Sequence, residues 1–94
     1  MKLSKEPKLT VRVLSPTEIH YDGPAVAVSA QNKVGPFDIL ADHANFFSVI
    51  TAGAIIVHTG TSDIPFAVSK GIVKVHDNKV TFFIDIEPAY LASK

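Results

Sequence analysis

Cysteine and tryptophan are both absent from these 94 residues. Without thiols the chain has no disulfide staples, no thiol nucleophile and no thiolate zinc site. Excess charge of either sign is also missing: nine Lys and Arg balance nine Asp and Glu. No long-range field therefore draws the chain to nucleic acid or to an anionic bilayer. No window approaches the ~20 apolar residues that span a membrane, and "MKLSKEPK" lacks the apolar stretch of a signal peptide. A soluble protein is expected, with membrane association only through a partner. Amphipathic helices are lacking too, because no segment repeats its apolar residues at helical spacing.

What is present has a period of two. In "KVTFFIDI" Val80, Phe82, Ile84 and Ile86 fall on one face, opposite Lys79, Thr81, Phe83 and Asp85. "LTVRVL" and "DIPFAV" alternate in the same way. Half-buried strands need this pattern, since successive side chains point to opposite faces. Turn signals at Asp22-Gly23-Pro24, Gly35-Pro36, Gly53, Gly60 and Asp77-Asn78 punctuate the runs. The pattern predicts strands near 8–14, 17–21, 25–30, 37–40, 45–50, 54–59, 63–69, 71–76 and 79–86. So many short strands in one small domain predict a β-sandwich or flattened barrel over residues 9–86, with tails at 1–8 and 87–94. Pro65 is expected on an edge, Ser69 at a bulge, and Asp77-Asn78 in a two-residue hairpin turn.

The stretch "VGPFDILADHANFFSVI" sets Asp38, Asp42 and His43 between two apolar runs. Nothing in their spacing specifies chemistry. His20, His43, His58 and His76 lie too far apart in sequence for a local metal site. No G-x-S-x-G elbow is present, no glycine-rich loop feeds a helix, and no acid pair is spaced for general acid–base work. Catalytic residues, cofactor and metal are therefore all expected to be none, and nucleic acid is not an expected partner.

Apolar residues on the outward parity are more informative. Ile56 points out between Ala54 and His58, Phe83 lies opposite Phe82 and Ile84, and Val26 stands beside Ala27 and Val28. One reading is a second covered face within the sandwich. The other is a patch that docks another protein.

"LSPTEIHYDG", "GPFDILADHA", "GAIIV" and "FAVSKGIVKVHDNKVTFF", in that order, resemble the N-terminal domain of the epsilon subunit of F-type ATP synthases, called delta in mitochondria. The family pattern Gly-Glu-Phe-Gly-Ile-Leu-Pro-Gly-His-Ala is kept at Gly35, Phe37, Ile39, Leu40, His43 and Ala44. It is departed from at Pro36, Asp38, Ala41 and Asp42. Ala67, Val68, Ser69, Gly71 and Val75 keep a second pattern, from which Lys70 and Lys74 depart; Asn78, Lys79 and Val80 keep the turn and strand after it.

The resemblance implies a ten-stranded β-sandwich without catalytic activity, a rotor part of the central stalk that binds gamma and touches the c-ring. It implies a peripheral position on the cytoplasmic side of an energy-transducing membrane, or the matrix or stromal side in an organelle. Gamma is then expected to meet Val26, Ile56 and Phe83. The c-ring is expected to face Gly35, Pro36, Phe37, Asp38, Asp42 and His43, with Pro36 in place of the family's acid. Nucleotide binding in that family belongs to a C-terminal helical hairpin that these residues do not include, so none is expected. Two alternatives stand beside it: a stand-alone β-sandwich interaction module, and a small zinc-dependent enzyme.

Overall fold

A computed structural model describes residues 7–86. Eight strands run in the order β1 (Leu9–Leu14), β2 (Ile19–Ala25), β3 (Ala27–Asn32), β4 (Gly35–Leu40), β5 (Phe46–Ile50), β6 (Gly53–His58), β7 (Asp63–His76) and β8 (Lys79–Ile86). They form one continuous path, β2-β1-β8-β7-β6-β3-β4, with β5 also paired to β7. All pairs are antiparallel except β1 with β8.

The fourteen-residue β7 makes one path into two layers. Its first half, Asp63 to Val68, pairs with β6; its second half pairs with β5 on one side and β8 on the other. Between them the register against β8 slips at Ser69, the bulge expected there, where the Ser69 hydroxyl donates to the Asp85 carbonyl at 3.1 Å. Bulges bend and twist the strand that carries them. Beyond it, a Cβ on Gly71 would lie 2.6 Å from the Phe83 carbonyl oxygen, closer than backbone tolerates. One layer is β2-β1-β8-β7-β5, the other β7-β6-β3-β4. Their inward residues, among them Val11, Phe82 and Val73 from the first and Val28, Ile39 and Val57 from the second, merge in one cluster without solvent access.

The alternation therefore places the core as read, with Val80, Phe82, Ile84, Ile55 and Val57 all buried. The nine strand segments read from the sequence become eight because 63–69 and 71–76 are one strand; the resemblance implied ten. Asp22-Gly23-Pro24 is not a turn: it pairs with Arg12, Val11 and Thr10 inside β2. Pro24 is tolerated because β2 ends the sheet path, where a missing N–H costs no ladder bond. Gly35-Pro36 likewise begins β4, the turn falling at Lys33-Val34 with Gly35 at φ 145°. Pro65 pairs only with Ile56, and its other side has no strand neighbour among the described residues. Asp77 and Asn78 close the β7–β8 hairpin at φ 47° and 64°, the positive values a two-residue turn demands. The inward placement of the Ile86 side chain, and the tails apart from Pro7 and Lys8, lie outside the described residues.

Gly71→Ala forces a methyl against backbone and the Ile84 side chain. Stability should fall by about 1–3 kcal/mol, the range for overpacking, measured by urea unfolding followed by far-UV circular dichroism. An unchanged midpoint would remove Gly71 from the bend.

Candidate functional site

Parity sends the odd-numbered side chains of β3 and the even-numbered ones of β4 and β6 to the outer face of the second layer. There Ser29 pairs in register with Asp38 on one side and Ile56 on the other, and Ile56 with Pro65. The Ser29 hydroxyl donates to Asp38 Oδ1 at 2.7 Å and stands 2.9 Å from His58 Nε2. His58 Nδ1 in turn lies 2.8 Å from Asp63 Oδ1. Serine, histidine and aspartate thus meet in the order of a hydrolase triad, yet the arrangement lacks what that chemistry needs. The serine proton is directed at Asp38 rather than at the imidazole. Ser29 also lies inside a strand flanked by β4 and β6, whose ladders occupy the amides an oxyanion would use. The four side chains instead strap β4, β3, β6 and β7 together across one face. Sequence reading missed the strap because its members are far apart; their shared outward parity was the available signal.

The six residues expected to face the c-ring do not form one loop. Gly35 through Leu40 are strand β4, a span of roughly 17 Å at the usual rise. At its start Asn32 Oδ1 accepts from the amides of Val34 and Gly35, which fixes a hairpin whose tip, Val34, is 95% exposed. Pro36 is exposed on the outer face, whereas Phe37 is half-buried with its ring 5.9 Å from Phe46. Asp42 and His43 lie beyond the far end of β4. Asp42, at φ 65°, donates its amide to Asn78 Oδ1 at 2.7 Å and accepts from Asn78 Nδ2 at 3.3 Å. The His43 ring packs 4.9 Å from Phe46. These contacts pin the β4–β5 connection to the β7–β8 turn, where Asn45 also accepts the Asp77 amide.

The three residues expected to meet gamma are likewise divided. Val26 occupies the bend between β2 and β3, its amide donating to the His58 carbonyl. Ile56 is half-buried on the outer face of the second layer. Phe83 is 48% exposed on the outer face of the first layer. The two layers bury their inner faces against each other, so Ile56 and Phe83 look away from one another. Around Phe83 the sequence reading missed its neighbours: Ile72 pairs with it from β7, Leu14 from β1, and Val49 pairs with Ile72 from β5. Val49 is 61% exposed, and an open, largely apolar groove of about 470 Å³ runs between these side chains. Among the described residues no three His, Asp or Glu side chains gather in a way that would hold a metal ion.

The molecule is thus a two-layer β-sandwich whose outer polar side chains bond to one another. The chain belongs to the family described as "ATP synthase, Delta/Epsilon chain, beta-sandwich domain", whose sequence model matches residues 8–86. It is 36% identical to the ATP synthase epsilon chain of Salinibacter ruber, across 87% of this chain and 62% of that one. It is 32% identical to that of Cyanothece sp., across 82% of this chain and 56% of the relative. The chain thus matches only about three-fifths of the length of these relatives. Its fold is shared with a chain of the Euglena gracilis mitochondrial ATP synthase (TM-score 0.77, 18% identity), over 94% of this chain and 61% of that one. It is also shared with a chain in the central stalk and c-ring structure of the Tetrahymena thermophila enzyme (TM-score 0.70, 20% identity), over 86% and 66%.

Asn78→Ala deletes both bonds to Asp42 and leaves a Cβ-bearing residue at positive φ. We expect a loss of about 1–3 kcal/mol in urea unfolding. Asn78→Gly keeps the backbone geometry and should lose less; equal losses would show that the Asp42 contact, not the turn, sets the cost.

Proposed function

We propose that this chain is a non-catalytic rotor component of an F-type ATP synthase, whose sandwich joins the gamma subunit of the central stalk to the c-ring. The observation that carries this reading is the family match over residues 8–86, which coincides with the whole described sandwich. The chemistry agrees with a structural role: the one Ser-His-Asp string is committed to holding four strands, and no second cluster of reactive groups accompanies it among the described residues.

Phe83 serves the gamma contact in this reading, while Val26, at the bend between the layers, and Ile56, on the opposite layer, stand outside it. The c-ring contact falls to the β3–β4 hairpin, where Gly35 and Pro36 stand beside the exposed and braced Val34. Phe37 and Asp38 support that hairpin from within β4. Asp42 and His43 hold the far end of the sandwich and serve the c-ring only by fixing the β4–β5 connection. The protein then sits at the periphery of the energy-transducing membrane, held there by the complex.

The 94-residue chain should form a stable complex with purified gamma in a pull-down, and calorimetry should detect no saturable ATP binding in the micromolar range. Failure to bind gamma would favour a stand-alone interaction module. Saturable ATP binding would place a nucleotide site on the sandwich.

A further inference from the structure

The groove beside Phe83 belongs to a longer feature. Val49 on β5 pairs with Ile72 on β7, Ile72 with Phe83 on β8, Phe83 with Leu14 on β1, and Leu14 with Ile19 on β2. One row of five large apolar residues therefore crosses all five strands of the first layer. Val49, Phe83 and Ile19 are each about half or more exposed, at 61%, 48% and 60%. Isolated exposed apolar residues are ordinary, but a continuous row in register is a docking feature.

The borders of the row define what fits it. On one side lie Phe47, Lys74, Thr81 and Arg12, on the other Lys70 and Asp85. Arg12 is matched by Asp22 at 3.6 Å and Lys70 by Asp85 at 3.9 Å. Lys74 has no carboxylate partner among the described residues. The apolar stripe is thus one residue wide from β7 to β2 and two wide on β5, where Phe47, 62% exposed, pairs with Lys74; charges flank it along the rest, with one cation unmatched. A second sheet laid over this face would cover several rows and desolvate those charges. A single helix, about 10–12 Å across with its side chains, covers the row and leaves the margins wet. Four strand spacings make the row roughly 19 Å long, the length of about 13 helical residues.

We propose that the outer face of β2-β1-β8-β7-β5 docks one amphipathic helix of a partner polypeptide. The helix lies across the strands with an apolar ridge at i, i+3, i+4 and i+7 on the row and an acidic side chain toward Lys74. This deepens the stalk reading by naming the face and the kind of element gamma would present, and it centres that contact on Phe83 rather than on Ile56.

Two arms test it. In pull-downs of the full chain with gamma, Val49→Asp and Phe83→Asp should each weaken binding tenfold or more. Lys74→Glu should weaken it several-fold with a reduced salt dependence, and Ile56→Asp should leave it unchanged. Circular dichroism of each variant should match the parent, because the substituted side chains are exposed or at the surface. Gamma binding that survives both Val49→Asp and Phe83→Asp overturns the face while leaving the stalk reading intact. The second arm needs no gamma: a 14-residue helical peptide with leucines on one stripe and glutamates beside it is titrated into isotope-labelled chain. Saturable shifts confined to Val49, Ile72, Phe83, Leu14 and Ile19 support the site, even if gamma itself fails to bind. No saturable shift, or shifts on β6-β3-β4, reject it.

Discussion

The close approach of Gly71 to β8 is the constraint from which the architecture follows. Backbone meets backbone there: a Cβ at Gly71 would fall 2.6 Å from the Phe83 carbonyl oxygen and 3.0 Å from the Ile84 Cα. Two residues earlier the Ser69 bulge changes the register, so bend and close packing coincide. This lets one strand serve two layers, pairing with β6 before the bend and with β5 and β8 after it. Were β7 straight, β6, β3 and β4 would extend the first layer as an open sheet, and Val28, Ile39 and Val57 would have nothing to bury against. The core is a consequence of that fold-over, and so are the two outward faces.

Much of this was legible in the sequence because a strand half-buried on a core writes its orientation into every second residue. Val11, Val13, Ile55, Val57, Val80 and Phe82 obey the alternation and are buried. The Asp77-Asn78 turn was legible for a different reason, since few residues accept two successive positive φ angles. Asp22-Gly23-Pro24 misled because its residue types favour turns, whereas an edge strand accommodates them at no cost in hydrogen bonds. The separation of 63–69 from 71–76 misled similarly: a bulge interrupts the alternation as a turn does, but leaves the strand continuous.

The site was less legible, because outward parity says that a residue faces away from the core and not which layer carries it. Ile56 and Phe83 share that parity and point in opposite directions. The partners that give each its meaning come from elsewhere in the chain: Pro65 and Ser29 for Ile56, Ile72 and Leu14 for Phe83. The segment from Gly35 to His43 shows the same limit. Its residues are contiguous in sequence, yet a six-residue strand carries the first to one end of the sandwich and the last to the other. Only register, which pairs residues across strands, assembles a surface.

The two outer faces also differ in what they ask of their surroundings. On β4-β3-β6-β7 the polar groups find one another: Asp38, Ser29, His58 and Asp63 complete a chain that leaves little for a partner to satisfy. On β2-β1-β8-β7-β5 the charges near the centre are mostly paired at the margins, and apolar side chains occupy the middle. Water solvates the first face well and the second poorly. Burial against another chain therefore gains free energy chiefly on the second, at the usual ~25 cal/mol per Å² of apolar surface removed from water. A narrow apolar row with charged borders resists both sliding and rotation of anything laid across it. Displacement along the strands by one row would bring Lys74 and Arg12 beneath an apolar ridge. The register that builds the sheet would in this way fix the alignment of whatever docks on it.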